Sequence, residues 1–177
     1  MSAISPTPSF EPGGQVRRWW KDRSGLTEYL REVSLFLKRF RSKLRIGEHS
    51  RSPLELLSFH LDQGAIWCDW VAREADPWDS YLPTRLGLRH ASLQALKDAI
   101  DTRSLLFESV PTVDFAYIRA YRRSCNNSLE LIVSGSLRRN SETFRTTRSL
   151  AMRAKLLGFR FRLEDDVLSP LRTEDEI

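Results

Sequence analysis

The chain has 177 residues, of which 41% are hydrophobic and 29% are charged, and its formal net charge is +5. That length suffices for one domain with a substantial core, and the composition is that of a globular protein rather than a disordered one. The sequence contains no apolar run of the roughly 18–20 residues that a membrane-spanning helix needs, so no such helix is predicted.

The charges are unevenly distributed along the chain. Residues 1–52 carry a net charge of +6 and residues 110–162 carry +8, whereas residues 53–109 carry −4 and residues 163–177 carry −5. Basic blocks of this kind attract phosphates, acidic proteins or anionic lipids. Arginine outnumbers lysine by 23 to 5. Its planar guanidinium group suits phosphates and carboxylates, although a GC-rich genome would produce the same bias.

The first predicted elements are a disordered tail over 1–16 and a basic amphipathic segment over 17–47. The tail is rich in proline, glycine and serine, which disfavours a packed structure. In the basic segment, Ser24 is a suitable N-cap for a helix over 24–44, and the cations concentrate at the end of this helix, as its dipole favours. The predicted buried stripe follows the spacing of one helical face and consists of Leu26, Tyr29, Leu30, Val33, Leu37, Phe40 and Leu44.

A hairpin and a second helix are predicted next. Apolar and polar residues alternate over 54–62, and the pattern predicts a returning strand over 65–73 after a Gln-Gly turn. The proline-containing stretch 75–90 is then an unusually long connection, which is expected to be either functional or partly helical. Ser92 is the expected N-cap of a helix over 92–107.

The remaining elements repeat this order of hairpin and helix. Strands over 113–123 and 129–139 are expected to pair through a turn that contains two asparagines. A third helix is predicted over 141–157, followed by a last strand over 159–163. The acidic segment 164–177 is expected to be a frayed tail.

Together these elements predict an α+β domain over 54–163. Its antiparallel sheet would consist of two hairpins plus the last strand, with the helices packed against it. Counted from residue 65, the order βαββαβ allows a ferredoxin-like arrangement. In that arrangement the strand over 54–62 would find no open edge beside the central strand, so the order of the sheet stays undecided.

No sequence motif for catalysis or cofactor binding is present. Phosphate-binding glycine loops, a nucleophile elbow and zinc-binding signatures are all absent, and the histidines show no ligand spacing. We therefore predict no catalytic residue, no metal and no cofactor, and we interpret the chain as better suited to binding than to catalysis. Cys68 and Cys125 lack a CxxC partner and are expected to be buried groups or free thiols, in a reducing, cytoplasmic setting.

Alternating aromatic and basic side chains on the third predicted strand form the first candidate binding surface. Phe115, Tyr117, Arg119, Tyr121 and Arg123 share one face of that strand, because side chains alternate with a period of two. Aromatic rings stack on unpaired bases, and cations hold phosphates. The alternative is that a helix covers this face and leaves only the arginines at its rim.

Four further arginines form a second candidate surface. Arg138 and Arg139 would lead directly into the third predicted helix, whose first N–H groups favour an anion. Arg145 and Arg148 would follow on its first turns. The alternative is that these arginines pair internally with acidic side chains.

Three functional hypotheses follow. The leading one is a non-enzymatic binding or assembly protein, whose arginine-rich surfaces contact nucleic acid or an acidic protein partner. The second is a magnesium-dependent hydrolase or nuclease that uses the carboxylates Asp62, Asp69, Asp76 and Asp79. The third places the helix over 24–44 against a membrane surface or another subunit, a homo-oligomer included, with Trp19 and Trp20 as interfacial anchors.

Overall fold

The computed structural model describes residues 23–44, 47–48, 50–62, 64–74, 81–139 and 147–172. The described elements, in chain order, are α1 (Arg23–Lys43), β1 (Glu55–Asp62), β2 (Ala65–Val71), α2 (Thr84–Ser109), β3 (Phe115–Arg123), β4 (Leu129–Arg138), α3 (Leu150–Leu156), β5 (Phe159–Arg160), β6 (Arg162–Glu164) and β7 (Val167–Ser169). The predicted tail over 1–16 lies outside the described residues.

The main sheet has five strands in the order β1-β2-β3-β4-β5, and β6 and β7 form a separate hairpin. The α+β class is therefore confirmed. The expectation of an antiparallel sheet is wrong at one place, because β2 and β3 pair in parallel, while the other neighbours are antiparallel. The helix α2 spans 26 residues and carries the chain back to the end of the sheet where β2 began.

This strand order differs from a ferredoxin-like sheet. In that arrangement the strand before the first helix lies next to the third and fourth strands of the βαββαβ unit. Here β2 pairs directly with β3, the strand that follows α2, and the opposite edge of β2 accepts β1. The strand predicted over 54–62 corresponds to β1. It pairs with the edge of β2 that another strand would occupy in a ferredoxin-like order.

The hydrophobic core formed by the described residues lies on one face of the sheet. Ala116, Ile118 and Ala120 of β3 point into it and are fully buried, together with Ile66 and Cys68 of β2. All three described helices contribute side chains to this same core. The fold is thus a two-layer arrangement, with helices on one face of the sheet.

The helix α1 confirms the predicted helix over 24–44, but the face that it buries is rotated. Phe36 is completely buried and stacks on Phe59 of β1, with ring centroids 4.6 Å apart. Leu30, which belonged to the predicted stripe, is 53% exposed. The stripe was drawn from spacing alone, whereas the large Phe36 ring provides the contact with β1.

The helix α2 begins eight residues earlier than predicted, at Thr84. The second part of the stretch expected to be a long connection, residues 84–90, is therefore helical, and Pro83 occupies the N-cap position. The early turns are held by two ion pairs to the turn between β6 and β7, Arg85–Asp165 at 2.9 Å and Arg89–Asp166 at 3.0 Å. Because these contacts come from residues far away in sequence, local periodicity did not indicate them.

The third helix is much shorter than predicted. It begins at Leu150, and Ser149 is its N-cap, since its hydroxyl accepts a hydrogen bond from the backbone N–H of Met152. Residues 147–149 are not helical, and residues 141–146 lie outside the described residues. A continuous helix over 141–157, as predicted, is therefore wrong, and the predicted passage from Arg138 and Arg139 into that helix falls on residues outside the described part of the chain.

Candidate functional site

The second face of the main sheet carries the first candidate surface. We call it the open face, and it consists of the side chains of β1 to β5 that point away from the helices. Along β3 the buried and exposed residues alternate, and Phe115 and Tyr117 are each 37% exposed. In the part of the chain that the structure describes, the helices pack on the opposite face. The alternative of a helix covering the aromatic side chains of β3 is therefore wrong for the described residues.

A row of aromatic rings crosses three strands of the open face. The strand register places His60 of β1 beside Trp67 of β2, and Trp67 beside Tyr117 of β3. The Trp67 and Tyr117 rings are stacked, with centroids 5.1 Å apart and planes 12° apart. His60 meets Trp67 at 5.5 Å in a tilted arrangement. Sequence reasoning missed His60 and Trp67, because only the parallel register of β2 and β3 brings them to Tyr117.

A row of polar side chains lies next to the aromatic row. Arg119 binds Asp69 through two hydrogen bonds, Nε to Oδ1 at 2.8 Å and one Nη to Oδ2 at 2.7 Å. Ser58 on β1 donates to the same carboxylate at 2.9 Å. The row continues on the other side of Arg119 with Ser134 of β4 and Arg160 of β5. The guanidinium of Arg119 is thus oriented by Asp69, which also neutralises its charge.

The remaining predicted residues of β3 lie near the same face. Tyr121 is half-buried, and the guanidinium carbon of Arg119 lies 5.9 Å from the centre of its ring. Arg123 forms an ion pair of 2.6 Å with Glu55 of β1. At the other end of the strand, the guanidinium of Arg138 lies over the Phe115 ring at 5.1 Å. Arg138 is exposed, so it contributes a cation to this end of the open face.

The charged side chains of the open face are sorted by strand. Carboxylates lie on β1 and β2, and arginines lie on β3, β4 and β5. The acidic members are Glu55, Asp62 and Asp69, and the basic members are Arg119, Arg123, Arg138 and Arg160. Asp69 and Glu55 pair with arginines of β3, while Arg138 and Arg160 are exposed on β4 and β5.

Arg139 has a different role from the one predicted. Its guanidinium donates to three backbone carbonyls at the end of α2, those of Phe107 at 2.7 Å, Val110 at 2.5 Å and Val113 at 2.8 Å. Carbonyls at a helix C-terminus lack helical partners and carry partial negative charge. Arg139 therefore stabilises the end of α2 and is not part of the open face.

The last two arginines of the second candidate surface are Arg145 and Arg148. Arg148 is exposed in the non-helical segment directly ahead of the N-cap of α3. Arg145 lies outside the described residues. Of the described members of this surface, Arg138 lies on the open face and Arg139 contacts carbonyls at and after the end of α2, so these two do not form one anion site.

A concavity with a volume of about 830 Å³ lies in the middle of the open face. Residues of all five strands line it, and the aromatic row His60, Trp67 and Tyr117 belongs to this lining. Ser134 and Ser136 of β4 and Arg160 of β5 line the part of the concavity beyond Tyr117. The open face therefore combines stacked rings, hydroxyl groups and cations around a single depression.

The two described carboxylates of the proposed magnesium site, Asp62 and Asp69, do not converge. Asp62 pairs with Ala65 and Asp69 pairs with Ser58, so their rows are four residues, or about 13 Å, apart along the strands. Asp76 and Asp79 lie outside the described residues. Among the residues that are described, no group of three or more histidine, cysteine, aspartate or glutamate side chains is arranged to hold a metal ion.

The helix α1 is occupied by contacts with its own protein. Besides the Phe36 contact, Lys43 forms an ion pair of 3.3 Å with Glu108 of α2. Leu35 is 39% exposed on its outer side, while Trp19 and Trp20 lie outside the described residues. No helix in the described part of the chain has both the length and the apolar character required to cross a membrane.

Comparisons of the chain with protein-family profiles, with curated proteins and with solved structures give no match.

Proposed function

We propose that this protein binds single-stranded nucleic acid on the open face of its sheet. The observation that carries the proposal is the stacked pair Trp67–Tyr117, which lies on the sheet face that none of the described helices covers, beside exposed arginines. Large aromatic rings are usually buried in a core, where they contribute most to stability. A sheet face that keeps such rings accessible next to cations has the two kinds of group that an unpaired strand needs, a ring to stack on and a charge for its phosphates.

The charge distribution supports the same proposal. Arg138 and Arg160 place exposed guanidinium groups on β4 and β5, next to the aromatic row. Phosphates would lie on this side, and bases would reach toward the aromatic row. A duplex hides its bases inside the stack, so it would use only the arginines and would bind more weakly.

Fluorescence anisotropy with labelled single-stranded DNA, single-stranded RNA and duplex DNA, at 50 and 200 mM salt, tests the proposal. We expect the single strands to bind more tightly than the duplex and to lose affinity at the higher salt. Tyr117→Ala should weaken single-strand binding by about 5- to 100-fold, because stacking contributes about 1–3 kcal/mol per base. Tyr81→Ala is the matched control, since Tyr81 is 90% exposed and lies ahead of α2.

A charge variant separates stacking from phosphate contact. Arg138→Gln should weaken binding of every nucleic acid alike. It should also reduce the slope of log affinity against log salt concentration by about one, because one phosphate contact is lost. If no nucleic acid binds even at 50 mM salt, the proposal is wrong, and pull-downs with acidic protein partners become the next experiment. If the duplex binds as well as the single strands and Tyr117→Ala changes nothing, stacking on the open face is refuted.

A further inference from the structure

The orientation of the stacked rings determines where a base can be placed. Two parallel rings whose centres are 5.1 Å apart cannot lie side by side, because their edges would overlap. Trp67 and Tyr117 therefore face one another, and the direction of their stack runs from β2 to β3. Neighbouring strands are about 4.8 Å apart, close to the distance between the ring centres. Because stacked planes in contact lie about 3.5 Å apart, a centre-to-centre distance of 5.1 Å means that the two rings are stacked with an offset. The second side of the Tyr117 ring is turned toward β4.

The position next to that ring is occupied by a small side chain. Ser136 is the β4 partner of Tyr117, and Ser134 is the partner of Arg119 two residues away. Ser136 is exposed and Ser134 is half-buried. No large side chain of β4 therefore continues the aromatic row at this point, and the row ends in a depression whose base carries two hydroxyl groups.

Arg160 of β5 stands on the far side of this depression. Arg160 pairs with Ser134 of β4. Because β4 lies between β3 and β5, these two strands are two strand spacings apart, or about 9–10 Å. A planar ring stacked between two neighbours needs about 7 Å between them, since each ring contact takes up about 3.5 Å. The distance between the Tyr117 ring and the strand that carries Arg160 therefore accommodates one planar group.

We infer that the depression between Tyr117 and Arg160 is a slot for one unpaired nucleobase. The base stands upright and stacks on the outer side of the Tyr117 ring, extending the row that begins at His60. Its polar edge points down to the hydroxyls of Ser134 and Ser136, which both donate and accept hydrogen bonds. Because a hydroxyl can donate to a base edge or accept from it, the slot accepts both purines and pyrimidines. The inference rests on the proposed function, and it adds where one base is held and by which groups.

Filling the slot without changing any charge tests this inference. Ser136→Leu places a branched apolar side chain against the Tyr117 ring, in the space assigned to the base. We expect it to weaken binding of a single-stranded oligonucleotide by about tenfold or more, as loss of one stacked base does. The slope of affinity against salt should stay unchanged, because every phosphate contact remains. Ser104→Leu is the matched control, since Ser104 is exposed on α2, on the covered side of the sheet.

A second measurement uses the unmodified protein. Uridine and adenosine monophosphates should both compete with the labelled oligonucleotide, whereas inorganic phosphate at the same concentration should not. The Ser136→Leu variant, checked for its fold by circular dichroism, should have lost the competition by monophosphates.

The outcomes distinguish the slot from the proposed function. If Tyr117→Ala weakens binding but Ser136→Leu binds like the original protein, the open face binds nucleic acid and the slot is refuted. If monophosphates bind and oligonucleotides do not, the slot exists but the proposed function is wrong. If neither binds, both are wrong.

Discussion

Replacing Asp98 by alanine would leave the guanidinium of Arg73 buried without its carboxylate. Asp98 lies on α2, and Arg73 follows β2. Their side chains are 2% and 0% exposed, and they meet at 2.8 Å. Asp98 also accepts a hydrogen bond of 2.8 Å from Gln94, while Arg73 donates to the carbonyl oxygens of Ser52, at 2.6 Å, and Leu44. This network joins α2 to the end of α1 and to the segment ahead of β1.

The expected loss of stability is large because the remaining charge cannot reach water. Removing one partner of a buried ion pair costs about 3–5 kcal/mol, most of it from the charge that stays buried. For a chain of this size, 1 kcal/mol shifts the melting temperature by about 2–4 °C. Asp98→Ala should therefore lower the melting temperature by about 6–20 °C.

Thermal unfolding followed by circular dichroism measures this difference. Glu108→Ala is the control, because it removes an ion pair with Lys43 whose side chains are 54% and 58% exposed. Exposed pairs contribute about 0–1 kcal/mol, so the control should melt within about 4 °C of the original protein. If Asp98→Ala and Glu108→Ala shift the melting temperature equally, losing a partner of the buried pair costs no more stability than losing a partner of the exposed pair, and the argument from burial is refuted.

Two further predictions concern the core of the sheet. A Cβ on Gly135 would lie 2.8 Å from the buried Phe159 ring, so Gly135→Ala should lower the free energy of unfolding by about 1–3 kcal/mol, measured by urea denaturation. Gly25→Ala, where nothing lies within 4 Å, should leave stability unchanged or raise it slightly; an equal loss in both variants would contradict the steric argument. Cys125 is exposed, whereas burial raises the pKa of the Cys68 thiol above its ordinary range. A thiol reagent should therefore label one cysteine in the folded protein and two in urea, and fast labelling of both without urea would contradict the packing of β2.

Sequence periodicity was sufficient for the strands but not for their arrangement. The alternation along β3 correctly assigned Phe115, Tyr117 and Arg119 to one face, because that pattern depends only on the geometry of a strand. The parallel pairing of β2 with β3 depends on α2 and on contacts between distant residues. Trp67 therefore remained unrecognised as the neighbour of Tyr117 until the register was known.

The arginines show a second limit of sequence reasoning. Arg138 and Arg139 are adjacent and chemically identical, and the hypothesis of a second candidate surface placed both on one anion site. In the structure one lies over the Phe115 ring on the open face, and the other donates to carbonyls at the end of α2. Strand alternation sends their side chains to opposite faces, so the position at which β4 ends decides which of them is accessible.

The parallel contact between β2 and β3 also has a consequence for how the chain reaches its folded state. The hairpins β1–β2 and β3–β4 each join neighbouring segments, so each can form quickly from local contacts. Pairing of β2 with β3 instead brings together residues 50 positions apart, such as Ala65 and Phe115, and must close a long loop. Contacts of that separation form slowly. We therefore expect the two hairpins to form early and the pairing of β2 with β3 to be the late, rate-limiting step of folding. The Trp67 ring can stack on the Tyr117 ring only at that step, because the two residues lie on these two strands.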